Sequence, residues 1–280
     1  MRSVNRSQVA DGSLPPMPWW IRAYLGFAAF QGVGIGLTGL LAPADMQIPL
    51  RISPLNTRFV AALYIAGGVG VLWAAFARRR AETRLFVIGF GLATAMILAL
   101  TVLHWSEFMA DELPHRPVWI FDYVVDPLLA VLIVPAAGLW PSGHGSRHRL
   151  TPLFIVQAAL FGALGLALLL VPNTIAGAWP WALPPLLGQL YACFFLTFAV
   201  SAALAARETE ARAIRAFAGS TLTLMVLVLV ASFLHLDRFK AEPVTWLWFG
   251  AFGLGTCAFG VALLTERAAG WLGRPRVVPE

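Results

Sequence analysis

Residues 101–127 read TVLHWSEFMADELPHRPVWIFDYVVDP, and this stretch decides how the whole chain is interpreted. An apolar helix is predicted to end at His104, an acidic connection follows, and a second apolar helix opens at Val118. This second helix contains two carboxylates, Asp122 and Asp126. A charged side chain inside the hydrocarbon of a bilayer costs about 2.5 to 3.5 kcal/mol even on the mildest scale, so acids in such a segment are candidates for function.

The composition of the chain is that of a membrane protein. Hydrophobic residues make up 59% of its 280 residues and charged residues only 12%, whereas soluble domains contain about 25% charged residues. The lipid bilayer is therefore the first predicted partner. The net charge of +6 does not indicate a nucleic-acid partner, because the arginines lie in short connections between apolar runs.

Eight apolar runs approach or exceed the length of a membrane span, since a spanning helix needs about 20 apolar residues. They are residues 19–41, 59–77, 85–104, 118–140, 153–171, 186–206, 214–235 and 244–264. The first run is longer than the apolar core of a cleavable signal peptide, which has about 7 to 15 residues. The predicted fold class is an all-α integral membrane protein with eight transmembrane helices.

Basic and aromatic residues predict how these helices sit in the membrane. When the eight runs alternate in direction, fifteen of the 20 Lys and Arg residues fall on one side. Cytoplasmic loops carry the basic excess, so both termini are predicted to be cytoplasmic, in a bacterial-type inner membrane. All 11 tryptophans fall at or near the ends of the spans. Because tryptophan rings prefer the headgroup level, we expect an aromatic belt at each face.

The two halves of the chain are similar in sequence. At a shift of 131 residues many identical residues align, among them Pro54 with Pro185, Arg84 with Arg215, and His104 with His235. A shift of 129 aligns parts of the first and fifth spans. A unit of four crossings returns the chain to its starting side, so both copies have the same orientation. We therefore predict two parallel four-helix repeats, related by a pseudo-two-fold axis along the membrane normal.

These repeats divide the chain into five segments. They are a cytoplasmic N-terminal segment (1–18), a first four-helix repeat (19–140), a basic cytoplasmic linker (141–150), a second four-helix repeat (151–265) and a cytoplasmic C-terminal tail (266–280). At a shift of 126, Asp122, Asp126 and Pro127 align with Trp248, Phe252 and Gly253. Acid-based chemistry is therefore predicted for the first repeat only.

Asp122 and Asp126 form the strongest candidate site. Their spacing of four residues places both carboxylates on one face of the fourth predicted span, one turn apart. Pro127 removes a backbone hydrogen bond and frees the carbonyl of Tyr123 one turn earlier. Two carboxylates and a free carbonyl have the chemistry of a site for a cation or a proton. The alternative is that Asp122 lies at the wet interface and Asp126 binds a neighbouring helix.

His104 and His235 form a second, weaker candidate site, at equivalent ends of the third and seventh spans. Across a pseudo-two-fold axis they are a candidate pair for haem or a metal ion, but no third ligand is evident. Polar helix caps inherited by duplication are the alternative. A pairing of His104 with Asp122, which would respond to pH, is a further hypothesis. The sequence leaves the cofactor unassigned.

Three functional classes fit these features. A transporter for a small solute or an ion, or one coupled to protons, fits the parallel repeats and the acidic fourth span. A non-catalytic membrane subunit that assembles with partner subunits fits a sequence without a P-loop, HExxH or nucleophile-elbow motif. A haem- or metal-binding membrane protein would use His104 and His235. No feature of the sequence indicates an enzyme.

Overall fold

The computed structural model describes residues 17–77, 82–108, 116–137 and 148–272, and these residues form helices and connections without any strand. The α-helices are α1 (Trp19–Leu41), α2 (Pro54–Ala75), α3 (Arg84–Leu103), α4 (Trp105–Phe108), α5 (Arg116–Ala137), α6 (Thr151–Leu170), α7 (Pro172–Ala178), α8 (Pro185–Ala205), α9 (Ala211–Phe233) and α10 (Pro243–Leu272). Short 3-10 turns, Pro43–Asp45 and Leu236–Arg238, follow α1 and α9. Residues 1–16, most of the predicted linker and the last eight residues lie outside the described ranges.

Seven of these helices are long and apolar enough to cross a membrane: α1, α2, α3, α6, α8, α9 and α10. The chain is therefore an all-helical, multi-pass membrane protein. The remaining predicted span corresponds to α5, a helix of 22 residues that contains both acids of the candidate site. It is not among the seven, so the arrangement of eight spans in two repeats remains a prediction.

The ends of the helices are set by proline and by capping groups as much as by hydrophobicity. Helix α2 begins at Pro54, five residues before the predicted start, because the Ser53 side chain caps its first turn by accepting from the Asn56 amide at 3.4 Å. Counting apolar residues misses this polar first turn. Helix α10 continues eight residues beyond its predicted end, to Leu272.

The helices pack in neighbouring pairs, with α1 on α2, α3 on α5, α6 on α8, and α9 on α10. The main contacts between the halves of the chain are those of α2 with α9 and of α3 with α8. Within the best spanning window, 67% of residues are buried in α2 and in α8 but only 17% in α10. Helices α2 and α8 thus form the centre, and α10 leaves most of its apolar surface for lipid.

The closest crossing, between α1 and α2, depends on glycine. A Cβ on Gly36 would lie 2.9 Å from the carbonyl oxygen of Ala61, and one on Gly68 would lie 3.1 Å from the amide nitrogen of Val33. Small residues allow membrane helices to approach this closely. The glycines of α10 behave differently, since nothing lies within 4 Å of a Cβ built on Gly250 or Gly253.

The tryptophans do not all form an interfacial belt, which corrects the expectation from the sequence. Trp19 and Trp246 expose 78% and 77% of their surface, as a lipid-facing ring would. Four others are buried inside the protein, namely Trp119, Trp179, Trp181 and Trp248. An amphipathic ring suits a polar pocket between helices as well as it suits the headgroup layer.

Asn56 organises this buried aromatic cluster at the end of the bundle that also bears His104, called here the His104 end. Its side-chain oxygen accepts hydrogen bonds from Trp181 Nε1 at 2.6 Å and from the Tyr191 hydroxyl at 2.9 Å. Its amide nitrogen donates to the carbonyl of Ala182 at 3.2 Å. One buried side chain therefore satisfies three polar groups on α8 and the connection before it.

We expect Asn56→Ala to lower the free energy of unfolding by about 2 to 4 kcal/mol. The substitution leaves Trp181 Nε1, the Tyr191 hydroxyl and the Ala182 carbonyl with fewer partners in a dry cluster, at about 1 to 3 kcal/mol for each group that stays unsatisfied. Thermal unfolding in detergent measures the change. The matched control is Asn173→Ala, an exposed asparagine at the same end, and an equal effect in both variants would contradict this role of Asn56.

A buried ion pair joins the two halves at the opposite end, called here the Arg84 end. Arg84 donates from Nε to Glu208 Oε2 at 2.7 Å and from Nη2 to Oε1 at 2.5 Å. The two side chains are 8% and 0% exposed. Glu208 also accepts from the amides of Thr209 and Glu210. The start of α3 is thereby bound to the connection between α8 and α9.

Candidate functional site

The two acids of α5 face a cavity inside the helix bundle. The cavity has a volume of about 140 Å³ and is lined by residues of α1, α2, α3, α5, α8 and α9. Its lining residues on α3 run from Leu85 to Ile97, which at 1.5 Å per residue is about 18 Å along the helix axis. Gln47, in the connection between α1 and α2, lines it as well. This length is more than half the thickness of a roughly 30 Å hydrocarbon layer.

Asp126 is held in this cavity by a tyrosine of α1. The Tyr24 hydroxyl donates a hydrogen bond to Asp126 Oδ1 at 2.7 Å. The second carboxylate oxygen has no hydrogen-bond partner among the described residues. Both side chains are partly buried. Helices α1 and α5, about 100 residues apart in sequence, therefore meet at the predicted acid.

Asp122 lies one turn nearer the His104 end and interacts with the side chain of Gln31, also on α1. Between the two acids in sequence, Tyr123 points its hydroxyl at the hydroxyl of Tyr64 on α2, and the two form a hydrogen bond. The sequence nominated Tyr123 for its backbone carbonyl. In the structure it is the side-chain hydroxyl of Tyr123 that contributes to the site, through its hydrogen bond with Tyr64.

The site contains two carboxyl groups, Asp122 and Asp126, and neither is paired with a cation among the described residues. No lysine, arginine or histidine is among the residues that line the cavity within the described ranges. Among the described residues, the groups that interact with the two acids are the neutral side chains of Tyr24 and Gln31.

Most hydroxyl groups of the lining are already occupied by the protein. Thr94 and Thr197 donate to carbonyls one turn earlier in their own helices, and Ser220 donates to the Ala66 carbonyl across to α2. Ser201 on α8 differs, because it is 5% exposed, lines the cavity, and has no hydrogen bond to any described residue. Its hydroxyl is therefore available to a bound molecule.

Sequence reasoning did not nominate Tyr24, Tyr64 or Gln31 as site residues. A signal for the two tyrosines was present, because the chain has only 4 tyrosines and all lie within apolar runs. Three of them, Tyr24, Tyr64 and Tyr123, contact one another or the acids at this site. A hydroxyl placed on an otherwise apolar span needs a polar partner on another helix.

His235 has a different partner from the one considered in the sequence. Its Nε2 faces Nη1 of Arg58 at 2.5 Å, and Arg58 Nε donates to the carbonyl of Leu40 at 3.0 Å. Since a guanidinium only donates, His235 accepts this bond as a neutral imidazole. Partial burial, and after it the charge of Arg58, lower the pKa of His235, against the opposing effect of Asp237. The arrangement links α2 to the end of α9.

His104 is the C-cap residue of α3, and its amide donates to the Leu100 carbonyl at 3.0 Å. Among the described residues it makes no hydrogen bond to His235 or to Asp122, whose partner is Gln31. These contacts therefore support neither the candidate pairing of the two histidines nor the hypothesis that His104 pairs with Asp122. A cap at the helix end is the role that the structure gives His104.

The described residues contain no group of three or more His, Cys, Asp or Glu side chains able to hold a metal ion. The Nε2 lone pair of His235, which a metal would need, is directed at a guanidinium. These residues do not fit a histidine-ligated metal or haem. Comparison with known proteins finds no matching family model, no similar curated protein and no similar solved structure.

Proposed function

We propose that the protein transports a small solute or an ion across the membrane, or a solute coupled to protons, with Asp126 as the central binding group. The observation that carries this proposal is the pair of carboxylates, without a cationic partner among the described residues, on an 18 Å cavity inside an apolar bundle. A carboxylate in such a place costs free energy, and intramembrane acids mark pathways for ions and substrates. In this proposal α5 also spans the membrane.

The proposal includes the two parallel four-helix repeats. Equivalent helix pairs pack together in each half, α1 on α2 like α6 on α8, and α3 on α5 like α9 on α10. The contacts between the halves are reciprocal too, since α2 packs on α9 as α8 packs on α3. The two halves also share a close helix approach. A Cβ on Gly36 would lie 3.1 Å from the amide nitrogen of Ile65, and one on Gly165 would lie 3.1 Å from that of Leu196. This reciprocity supports a pseudo-two-fold relation.

A hydrogen bond present in both halves supports a different sequence shift for aligning α5 with α10, the last helices of the two repeats. Trp119 Nε1 donates to Thr101 Oγ1 at 3.0 Å, and Trp248 Nε1 donates to Ser232 Oγ at 3.0 Å. Matching the tryptophans requires a shift of 129 rather than 126, and Asp126 then corresponds to Gly255. Either register leaves the second half without acids at these positions, so the site belongs to one repeat.

The basic excess at the Arg84 end remains the support for a cytoplasmic location of that end and of both termini. In this orientation the cavity begins near the outer connection that contains Gln47 and runs inward past Asp122 and Asp126. Phe86 and Ser201 line its inner part, close to the buried pair of Arg84 and Glu208.

Cysteine labelling tests whether the cavity is a solute path. We expect Gly67→Cys, introduced with Cys193→Ala and Cys257→Ser, to react with a membrane-impermeant thiol reagent. Gly67 lines the cavity, and nothing lies within 4 Å of its built Cβ, so the cysteine fits without displacing a neighbour. A thiol in contact with water can ionise to the thiolate, which is the form that reacts. The readout is the modified fraction with reagent applied from one side or the other.

The matched control is Gly250→Cys in the same background. A Cβ at this position would also have no atom within 4 Å, and residue 250 lies on the exposed surface of α10. A thiol facing lipid should stay unmodified. Labelling of Gly67→Cys from both sides supports alternating access. Equal protection of the two cysteines would remove the solute path and favour a non-catalytic subunit, for which a stoichiometric partner should then co-purify.

A further inference from the structure

We infer that the cavity binds a small organic cation, a protonated or quaternary amine with an apolar body. The inference rests on the proposed function and names its substrate class. Three properties of the lining carry it: negative charge without a counterion, a high content of aromatic rings, and one free hydroxyl.

The negative charge selects against anions and in favour of cations. Asp122 and Asp126 lie one turn apart on α5, and no basic side chain lines the cavity within the described ranges. An anionic solute would meet two carboxylates in a medium of low dielectric constant, where repulsion is strong. A cation would supply the charge partner that the described residues do not supply.

The aromatic walls distinguish an organic cation from a metal ion. Eight aromatic side chains are among the lining residues. Phe90 lies beside Tyr24, the partner of Asp126, with ring centroids 6.4 Å apart, and Phe194 lies beside Tyr64 with centroids 5.5 Å apart. Ring faces attract ammonium groups through the cation–π interaction. Calcium and magnesium ions instead take six or more oxygen ligands, some of them water molecules, and the described residues contain no cluster of three His, Cys, Asp or Glu side chains that could hold a metal ion.

A neutral polar solute fits less well, because most of the lining hydroxyls already bond to the protein. The free hydroxyl of Ser201 offers one additional acceptor for an N–H donor. The volume of about 140 Å³ resembles that of a cavity of about 150 Å³ that holds benzene in another protein. An amine of about five to eight non-hydrogen atoms is therefore the expected size.

The test uses three probes of similar shape: isobutylammonium, isobutanol and isobutyrate. Equilibrium dialysis of each radiolabelled probe against the full-length protein in lipid nanodiscs measures binding at pH 7. We expect saturable binding of isobutylammonium, competition by tetramethylammonium, and no saturable binding of the alcohol or the carboxylate. Asp126→Asn should weaken the affinity by at least about tenfold, as loss of a charged hydrogen-bond partner implies.

Phe90→Leu removes the aromatic ring but keeps a bulky apolar side chain. We expect it to weaken isobutylammonium binding about three- to thirtyfold, because the cation–π contribution is lost. Glu107→Gln removes an exposed acid on α4 and should leave the affinity unchanged. Equal binding of isobutanol, or wild-type affinity in Asp126→Asn, would overturn the inference.

Failure of this inference and failure of the proposed function are distinguishable. If isobutylammonium does not bind while Gly67→Cys is still labelled from both sides, the substrate class is wrong and the transport path stands. If Gly67→Cys is protected and nothing binds, both proposals fail. Binding without labelling from both sides would retain the cation site and contradict transport.

Discussion

Asp126→Asn is expected to fold and insert normally while slowing transport at least about tenfold. The amide oxygen of asparagine still accepts the hydrogen bond from Tyr24, which measures 2.7 Å in the wild type, so the contact between α1 and α5 survives. What disappears is the negative charge, and hydrogen bonds to charged groups contribute about 1.5 to 3 kcal/mol. Uptake of radiolabelled isobutylammonium, and proton flux reported by an entrapped pH-sensitive dye, measure the effect in proteoliposomes.

Asp126→Leu provides a second variant of the same position. It should be equally inactive and also less stable than Asp126→Asn, because the Tyr24 hydroxyl loses its partner. The control is Glu107→Gln, which removes an acid from the exposed surface of α4 and should transport at the wild-type rate. Wild-type transport by reconstituted Asp126→Asn would end the case for this residue.

The second large effect is expected at the buried ion pair of the Arg84 end. Glu208→Gln and Arg84→Met should each lower the free energy of unfolding by about 3 to 5 kcal/mol, because each removes the charge that the pair supplies to a buried, oppositely charged group. The geometry supports the upper part of this range, since two hydrogen bonds of 2.7 and 2.5 Å join the side chains. The apparent melting temperature in detergent measures the loss.

The double variant Arg84→Met with Glu208→Gln should recover most of the lost stability, because neither charge of the pair remains. Arg238→Ala is the comparison for an exposed pair. Arg238 lies 3.0 Å from Asp237 and the two side chains are 71% and 69% exposed, and such pairs contribute about 0 to 1 kcal/mol. Single variants as stable as the wild type, or a double variant no better than the single ones, would show that the Arg84–Glu208 pair does not stabilise the bundle.

These two predictions separate function from stability along the same bundle. Asp126 has one neutral donor, Tyr24, and no cationic partner among the described residues, so its carboxylate is available for a ligand. Glu208 has Arg84 and two backbone amides, so its charge is used by the fold. The cavity extends from Asp126 toward the Arg84–Glu208 pair, and Phe86 and Ser201 line the end nearest Arg84.

The sequence by itself determined the helices and the position of the acids. A run of apolar residues such as 19–41 must form a helix in lipid, because a helix satisfies its own backbone polar groups there, and α1 has these same limits. The spacing of Asp122 and Asp126 put both on one face because the helical repeat is local. Both properties depend only on residues close together in the chain.

Only the tertiary structure decided which groups meet those acids. Tyr24 and Gln31 reach Asp126 and Asp122 from about 100 residues away, and hydropathy carries no information about which helix neighbours which or how it is rotated. Hydropathy does not decide the position of Trp181 either, since its ring suits the headgroup layer and the buried Asn56 cluster equally well. Rotation and adjacency follow instead from close backbone contacts such as that of Gly36 with Ala61, because in lipid the packing of side chains, rather than hydrophobicity, brings helices together.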